Sequence, residues 1–238
     1  MGKNSETGHA VNYGKLVKTV TIVEGLGPVF QPVHELIQAN NLKNYQLQCK
    51  TALDGVKAAE DAFDRAVNLR RDLFGDLKKL STRIMNAYED AGASAADVDD
   101  LRGVNRKLQG YRPLPAKDPG QDEAGKKQYS IAQLSFINQA DNFANIVTRV
   151  SAFAGYRPAE ADLLPAALEE RHRQLGLATD AVDAAASALQ QAREARNRLF
   201  YDADLGMSAR RKRLGNYFKS RKDGSNPLKG ISFRNFVR

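Results

Sequence analysis

LKNYQLQCKTALDGVKAAEDAFDRAVNLRRDLF, residues 42–74, is the stretch that decides the fold class of this chain. Apolar or small residues recur every seven residues along two seams that continue to Ala87, a pattern typical of a long amphipathic helix. One seam runs through Leu42, Cys49, Val56, Phe63, Arg70, Leu77 and Ile84. The pattern predicts a helix about 70 Å long if it is unbroken, at ~1.5 Å per residue. Gly75 is a place where such a helix can bend.

The same pattern recurs 126 residues later, in LEERHRQLGLATDAVDAAASALQQAREARNRLF at residues 168–200. Because 126 is a multiple of seven, the second stretch keeps the heptad phase of the first. Outside this block the best shift is 130, which places Asn12-Tyr13 on Asn142-Phe143. The difference of four residues is about one helical turn. We interpret the chain as two copies of one helical unit, the alternative being a chance agreement of two heptad patterns.

These patterns predict an all-α protein of two tandem antiparallel helical-hairpin or bundle repeats, each built around a long heptad-patterned helix. The predicted boundaries are residues 1–110 for the first repeat, 111–128 for a linker rich in Pro and Gly, and 129–238 for the second repeat with a basic C-terminal segment. The run TVTIV at residues 19–23 favours a strand by propensity alone. We expect a helix there, because the copy shifted by 130 has a helical apolar stripe from Phe136 to Phe153. The sequence also predicts a further helix at residues 97–108.

Composition bounds the compartment and the class of protein. With 42% hydrophobic residues, the 238-residue chain can bury a core. Its single cysteine excludes an intramolecular disulfide framework. No apolar run approaches the roughly 18 residues of a membrane span, and the N-terminus is polar. We therefore expect a soluble cytoplasmic protein with no transmembrane segment.

The positive charge is confined to the end of the chain. Residues 209–238 contain ten Lys and Arg against one acid, Asp223, and carry a formal charge of +9. Since the whole chain carries +8, residues 1–208 carry −1. A field concentrated in this way bears on partners rather than on the fold.

The basic segment 210–238 is the candidate site for a polyanion. The candidate residues are Arg210, Arg211, Lys212, Arg213, Lys219, Arg221 and Lys222. Interleaved aromatic residues could stack on bases or enter a lipid interface. The alternative is that Leu214, Tyr217 and Phe218 are the core stripe of the last helix and the charges only its solvated face. In the first copy Glu89-Asp90 stand where Lys219-Ser220 stand in the second, so the fold itself does not require the basic character.

Arg70 and Arg196 occupy the same heptad position on the apolar seam of the two copies. A charge on such a seam is costly unless it is paired or reaches solvent. We interpret both as buried structural charges that meet a carboxylate or helix-end carbonyls and fix helix register. The alternative is an anion site.

Other candidate chemistry is sparse. Glu169 and His172 have the Glu-x-x-His spacing of di-iron bundles, but that site needs two such pairs and two more Glu. With three His and one Cys we expect no metal, no cofactor and no catalytic constellation. Cys49 is expected to be a small core residue and His34 a surface or capping residue.

Three stretches carry a resemblance: KNSETGHA at 3–10, the region 87–94, and RKLQG at 106–110. They resemble a family of uncharacterised bacterial proteins with the same length and duplicated helical plan. The resemblance implies the helical fold and gives no information about activity. The polar octapeptide at 3–10 is expected to dock on the bundle or on a partner.

The sequence thus predicts a non-enzymatic helical interaction or scaffolding module, with an unknown protein as its partner. The alternative is a nucleic-acid-associated protein that binds through residues 210–238. The third interpretation is a peripheral binder of anionic membrane.

Overall fold

The computed structural model describes residues 7–111, 134–223 and 225–236. Across these ranges the fold is all-α, with helices packed against one another and no β-strand. The helices are α1 (Thr7–Gly25), α2 (Ala39–Gly75), α3 (Leu77–Asp90), α4 (Ala95–Gln109), α5 (Phe136–Ala152), α6 (Pro165–Tyr201) and α7 (Met207–Ser220). Short 3₁₀ turns at Glu35–Ile37 and Ala161–Leu163 precede the two long helices.

The helix lengths follow the two shifts found in the sequence. Helices α2 and α6 both have 37 residues, and they begin 126 positions apart. Helices α3 and α7 both have 14 residues, and they begin 130 positions apart. One residue, Asp76, separates α2 from α3, whereas residues 202–206 separate α6 from α7. The longer connection accounts for the change of shift by four residues.

The heptad from 42 to 88 is divided between two helices, because α2 ends at Gly75, where a bend was expected. Glycine is a poor helix former, and Leu77, which starts the next helix, is fully buried. The strand-like run at residues 19–23 lies inside α1, as the repeat predicted. The helix predicted at 97–108 is α4, where the Ser94 hydroxyl caps the Asp97 amide at 3.2 Å.

The described chain forms two compact units, Met1–Phe63 with Ala185–Arg238 (unit 1) and Asp64–Ala184 (unit 2). This division differs from the predicted boundaries at 110 and 129, because each core draws on both predicted repeats. Leu42 and Phe218 share the core of unit 1, and Leu77 and Leu168 share that of unit 2. Each long helix begins in one unit and ends in the other. Apart from Tyr111, the predicted linker lies outside the described residues.

Unit 1 contains α1, the first part of α2, the last part of α6, and α7. The Tyr45 hydroxyl of α2 donates to the carbonyl of Leu199 in α6 at 2.8 Å. Phe30, which follows α1, packs edge-on against Tyr217 of α7, with ring centroids 5.0 Å apart. Cys49 is fully buried in this core, as expected from its seam position.

Unit 2 contains the last part of α2, α3, α4, α5 and the first part of α6. Helix α4 packs against both α3 and α5, and buries Leu101 and Leu108 completely. At the end of α2, Phe74 meets Phe136 of α5 edge-on, with centroids 4.8 Å apart. Arg171 of α6 donates to the carbonyl of Leu73 at 2.6 Å.

Seam positions 126 residues apart have similar burial. Leu42 and Leu168 are both fully buried, and both Val56 and Val182 are buried. Leu189 is buried, and its counterpart Phe63 is half-buried.

Candidate functional site

Helix α7 has a buried apolar face and an exposed face that carries lysines. Leu214 and Phe218 are each 1% exposed and belong to the core of unit 1. The sequence alternative of a core stripe along α7 is therefore confirmed for these two residues. The exposed stripe of the same helix consists of Ser208, Lys212, Asn216 and Lys219.

Three of the seven candidate polyanion residues bind the protein's own backbone. Arg210 donates from Nη1 to the Leu36 carbonyl and from Nε to the Leu205 carbonyl, and its guanidinium lies 4.0 Å from the centre of the Tyr45 ring. Burial lowers the pKa of Arg210.

The other two arginines also face carbonyl oxygens. Arg211 donates to the carbonyls of Leu228 and Ile231 at 2.7 and 2.9 Å. Arg221 pairs with Asp223 and donates to the Val29 carbonyl at 3.3 Å. These side chains stabilise unit 1 and leave the basic surface to other residues.

The basic surface consists of side chains that stay in solvent. Lys212, Lys219 and Lys222 are exposed and Arg213 is half-buried. Within the described parts of the chain, these four residues make no ion pair. In α3, by contrast, the position of Lys219 is taken by Glu89, which pairs with Arg102 at 2.8 Å. Unit 1 therefore presents an unbalanced positive surface where unit 2 does not.

The aromatic residues of the segment are mostly unavailable for stacking on a ligand. The Tyr217 hydroxyl accepts from the amide of Gln31 at 3.0 Å, and Phe218 is buried. Phe233 packs partly against the core of unit 1. Phe236 is 38% exposed.

Residues 225–236, which we call the C-terminal strap, are the part of unit 1 that follows α7, and they form no helix. Asn12 of α1 pairs with the peptide group of Arg234: Nδ2 donates to the carbonyl at 2.6 Å, and Oδ1 accepts from the amide at 3.3 Å. Lys15 of α1 donates to the Ser232 carbonyl at 2.7 Å. The Phe236 ring covers Gly8, where an added Cβ would come within 2.7 Å of the ring.

His9 lies under the strap, at the start of α1, and is 8% exposed. Its Nδ1 is 2.7 Å from the Tyr201 hydroxyl, and its ring meets Phe236 edge-on with centroids 5.9 Å apart. Burial, and to a lesser degree the charge of Arg196, lower the pKa of His9 to about 4. A neutral imidazole at ordinary pH is thus part of the core of unit 1. Of the octapeptide expected to dock, positions 3–6 lie outside the described residues.

Arg196 is 9% exposed and donates from Nε and Nη2 to Oδ1 of Asn197, at 3.2 and 2.9 Å. The acceptor in both of these hydrogen bonds is an amide oxygen, whereas the prediction for Arg196 named a carboxylate or helix-end carbonyls. The positive charge of Arg196 also acts on two nearby groups. It helps to lower the pKa of His9, and it opposes the effect of burial, which raises the pKa of Tyr201.

Arg70 was predicted to be buried, but it is half-buried, and its contacts differ from the predicted ones. Its guanidinium lies over the Phe136 ring, 4.3 Å from the centroid, and its buried Nε has no hydrogen-bond partner. An aromatic face stabilises this cation in place of the predicted oxygen atoms. Position 136 lies outside any contact that the heptad of α2 could predict.

Unit 2 has a cleft of about 430 Å³ in which charges balance one another. Arg83 and Asp162 form a bidentate pair at 2.5 and 3.0 Å, which lowers the pKa of Asp162. Arg171 pairs with Asp76 in the same cleft. Opposite charges that are already paired offer little to a charged ligand.

The Glu-x-x-His pair lies in a second cleft of unit 2, of about 370 Å³. The Ser151 hydroxyl donates to Glu169 at 3.3 Å, and His172 lines the same cleft. No group of three or more His, Cys, Asp or Glu side chains suited to a metal ion occurs in the described ranges.

Sequence reasoning missed His9, Asn12 and Lys15 as contacts of the chain's end. A partial signal was present: Asn12 aligns with Asn142, and both are buried polar residues in an otherwise apolar stripe. A recurring buried amide indicates a partner to be found.

No helix among the described residues is both long and apolar enough to cross a membrane. No family model, curated protein or solved structure matches this chain. The resemblance drawn from residues 3–10, 87–94 and 106–110 therefore stays a prediction from the sequence.

Proposed function

We propose that this protein is a non-enzymatic helical interaction module, which binds a partner protein through the basic face of α7. The observation that supports the proposal is the sorting of charge in that helix. Arg210 and Arg211 are bound to backbone carbonyls, whereas Lys212 and Lys219 lie on the exposed stripe without an acidic partner in the described chain. Exposed, unbalanced cations steer association with an anionic surface.

The reactive side chains support a binding role because they serve the fold. His9 is buried and neutral, and His34 caps a 3₁₀ turn by accepting from the Leu36 amide. Burial raises the pKa of the Cys49 thiol to about 12, so this cysteine is a poor nucleophile. Ser151, Glu169 and His172 line one described cleft, where the Ser151 hydroxyl donates to the Glu169 carboxylate at 3.3 Å.

The test is affinity capture from cells of the source organism, using the full chain and a K212E/K219E variant. A K79E/K107E variant is the matched control, because both of its lysines are exposed on unit 2. We expect one protein captured in roughly equimolar amount by the wild type and the control, resistant to nuclease, and lost with K212E/K219E. Equal capture by all three proteins, or none by any, would contradict the proposal.

Nucleic acid is the second candidate, favoured by the acid-free sequence of α7. Replacing Arg210 and Arg211 would remove contacts to Leu36 and Leu228 and so disturb the fold. We therefore choose Lys212, Lys219, Lys222 and Lys229→Gln, which are all exposed. For duplex DNA, loss of each phosphate contact should reduce the salt slope by about 0.9. Anionic vesicles titrated in parallel test the membrane interpretation, and no binding at low salt would exclude both polyanions.

A further inference from the structure

The C-terminal strap is bound to unit 1 in the way that a receptor binds a peptide. Within the described residues, five hydrogen bonds join side chains of α1 and α7 to the main chain of the strap. The donors and acceptors are Asn12, Lys15 and Arg211, and their partners are the backbone groups of Leu228, Ile231, Ser232 and Arg234. Main-chain contacts of this kind recognise an extended segment largely independently of its sequence.

The apolar contacts of the strap are made by four residues of the described chain. Leu228 is fully buried, and Ile231 and Phe233 pack partly against the core at alternate positions. At the other end, Phe236 remains 38% exposed. A segment with one aliphatic residue and two alternating apolar residues would satisfy the same groove.

Unit 2 has a helix at the place in the repeat where unit 1 has the strap. After α3 it places the 15-residue helix α4, which is capped at both ends and fully buries Leu101 and Leu108. After α7, unit 1 has the strap instead, with a single fully buried side chain, Leu228. Segments with few buried apolar contacts open locally at a small fraction of the cost of global unfolding.

The strap and its groove carry charge of the same sign. Helix α7 and the strap contain no acidic residue, and α1 has none before Glu24. The groove directs the cations Lys15 and Arg211 at the strap, which itself carries Lys229 and Arg234. An acidic segment would complement this groove better than the basic strap does.

We propose that the groove under the strap is the binding site for an extended acidic segment of a partner protein, which displaces residues 226–236. The inference rests on the proposed interaction function and names the chemistry of the partner. Asn12, Lys15 and Arg211 would transfer their hydrogen bonds from the strap to the main chain of the incoming segment. Its carboxylates would then lie beside α1 and α7.

The experiment compares two labelled peptides by fluorescence anisotropy with the full chain. One has the strap sequence NPLKGISFRNF, and the other replaces its Lys and Arg with Glu, NPLEGISFENF. We expect the acidic peptide to bind about fivefold tighter at low salt, with the advantage shrinking as salt rises. Chains carrying L228A or the milder F236A should bind both peptides more tightly, because a weaker strap leaves the groove open more often.

The control uses two lysines of α1. K15Q removes a donor to the strap, whereas Lys18 is exposed and makes no contact with it in the described structure. Because K15Q also loosens the strap of the same chain, both changes are made in the L228A chain, where the groove is already open more often. There K15Q should weaken peptide binding several-fold and K18Q should not. Hydrogen exchange of the wild type should show faster exchange at 228–236 when the acidic peptide is added.

The proposal is overturned if neither peptide binds the strap-weakened chains, if charge reversal gives no advantage, or if K15Q and K18Q act alike. It is also overturned if an oligonucleotide releases the strap and the acidic peptide does not. Capture that depends on Lys212 and Lys219 would survive each of these results, so failure of the groove is distinguishable from failure of the interaction function.

Discussion

His9 shows how a single titratable side chain can make stability depend on pH. The imidazole packs between Tyr201, Phe200 and Phe236, where a positive charge would lack water and would face Arg196. The unfolded chain binds the proton near pH 6.5, whereas the folded chain binds it only near pH 4. Its contribution is therefore complete above pH 6.5 and is lost as the pH falls toward 4.

We expect H9Q to remove much of this acid sensitivity, because glutamine already occupies the position 130 residues later, at Gln139. The free energy of unfolding of the wild type should fall by up to about 3 kcal/mol more than that of H9Q between pH 7 and 4. Urea titrations at several pH values measure the difference. H34Q, a change at a partly solvent-facing cap, should keep the wild-type profile, and a loss of sensitivity there instead would contradict the assignment.

Arg70 gives a second prediction, on the stability of a cation over a ring. R70M should keep the packing against Phe136 and relieve the unpartnered Nε, so we expect stability within about 0.5 kcal/mol of the wild type or above it. R70A should lose about 1 kcal/mol or more, because it removes the contact with the ring and leaves a void. Thermal melts of both variants decide the point. If R70M were as damaging as R70A, the charge itself would be required.

The roles of individual residues could be predicted only in part. The seam position of Arg70 and Arg196 indicated burial, but not the Phe136 ring or the Asn197 amide. Arg210 looked like a surface cation, since its acceptor Leu36 lies 174 residues earlier in the chain. Periodicity gives the face of a helix that is buried, and it contains no information about which distant carbonyl meets that face.

At the scale of elements, the heptad was enough to predict the helices and their phase, and α2 and α6 have the same length for that reason. The break at Asp76 was harder to predict, because Gly55 and Gly75 look alike in sequence. Gly55 lies inside α2, whereas α2 ends at Gly75. After Gly75, Leu77 begins α3 and is fully buried in the core of unit 2.

Glycines provide a matched test of two elements. An added Cβ at Gly206 would lie 2.5 Å from the Asp202 carbonyl oxygen, so G206A should destabilise the turn into α7 by about 1–3 kcal/mol. At Gly55 an added Cβ meets nothing within 4 Å, and the equivalent residue of α6 is Ala181. G55A should therefore stabilise the protein by about 0.5–1 kcal/mol. Urea denaturation measures the free energy of unfolding of both variants. A stabilising G206A together with a destabilising G55A would contradict these local geometries.

At the scale of the whole molecule, the sequence repeat predicted two tandem units, one for each copy. The compact units of the structure instead combine segments from both copies. Side chains from both predicted repeats meet in each core, as Leu42 with Phe218 and Leu77 with Leu168 show. The hydrophobic pattern of α2 is equally consistent with either half of α6, because the two copies share one phase. Sequence could therefore predict the elements and not the partners that they choose.

Separated halves test this composition. A protease site inserted between Tyr111 and Leu134 would divide the chain into its two predicted repeats. We expect neither half to form a native monomer alone, since each lacks part of both cores, and we expect the two to associate with 1:1 stoichiometry when mixed. Circular dichroism and light scattering of the halves and of the mixture measure this. Two independently folded, non-associating monomers would contradict the two-unit division.

The composition of unit 1 also sets the order in which a newly made chain can fold on the ribosome. Unit 2 is continuous from 64 to 184 and can close its core as soon as Leu175 has emerged. The N-terminal part of unit 1 is made first, yet it completes its core only when Leu228 arrives. At roughly 5–20 residues per second that interval is on the order of 10–30 s. During this time Leu16, Val20 and Leu42 are exposed to any chaperone that binds apolar nascent segments, so this protein should depend on such protection more than its modest length suggests.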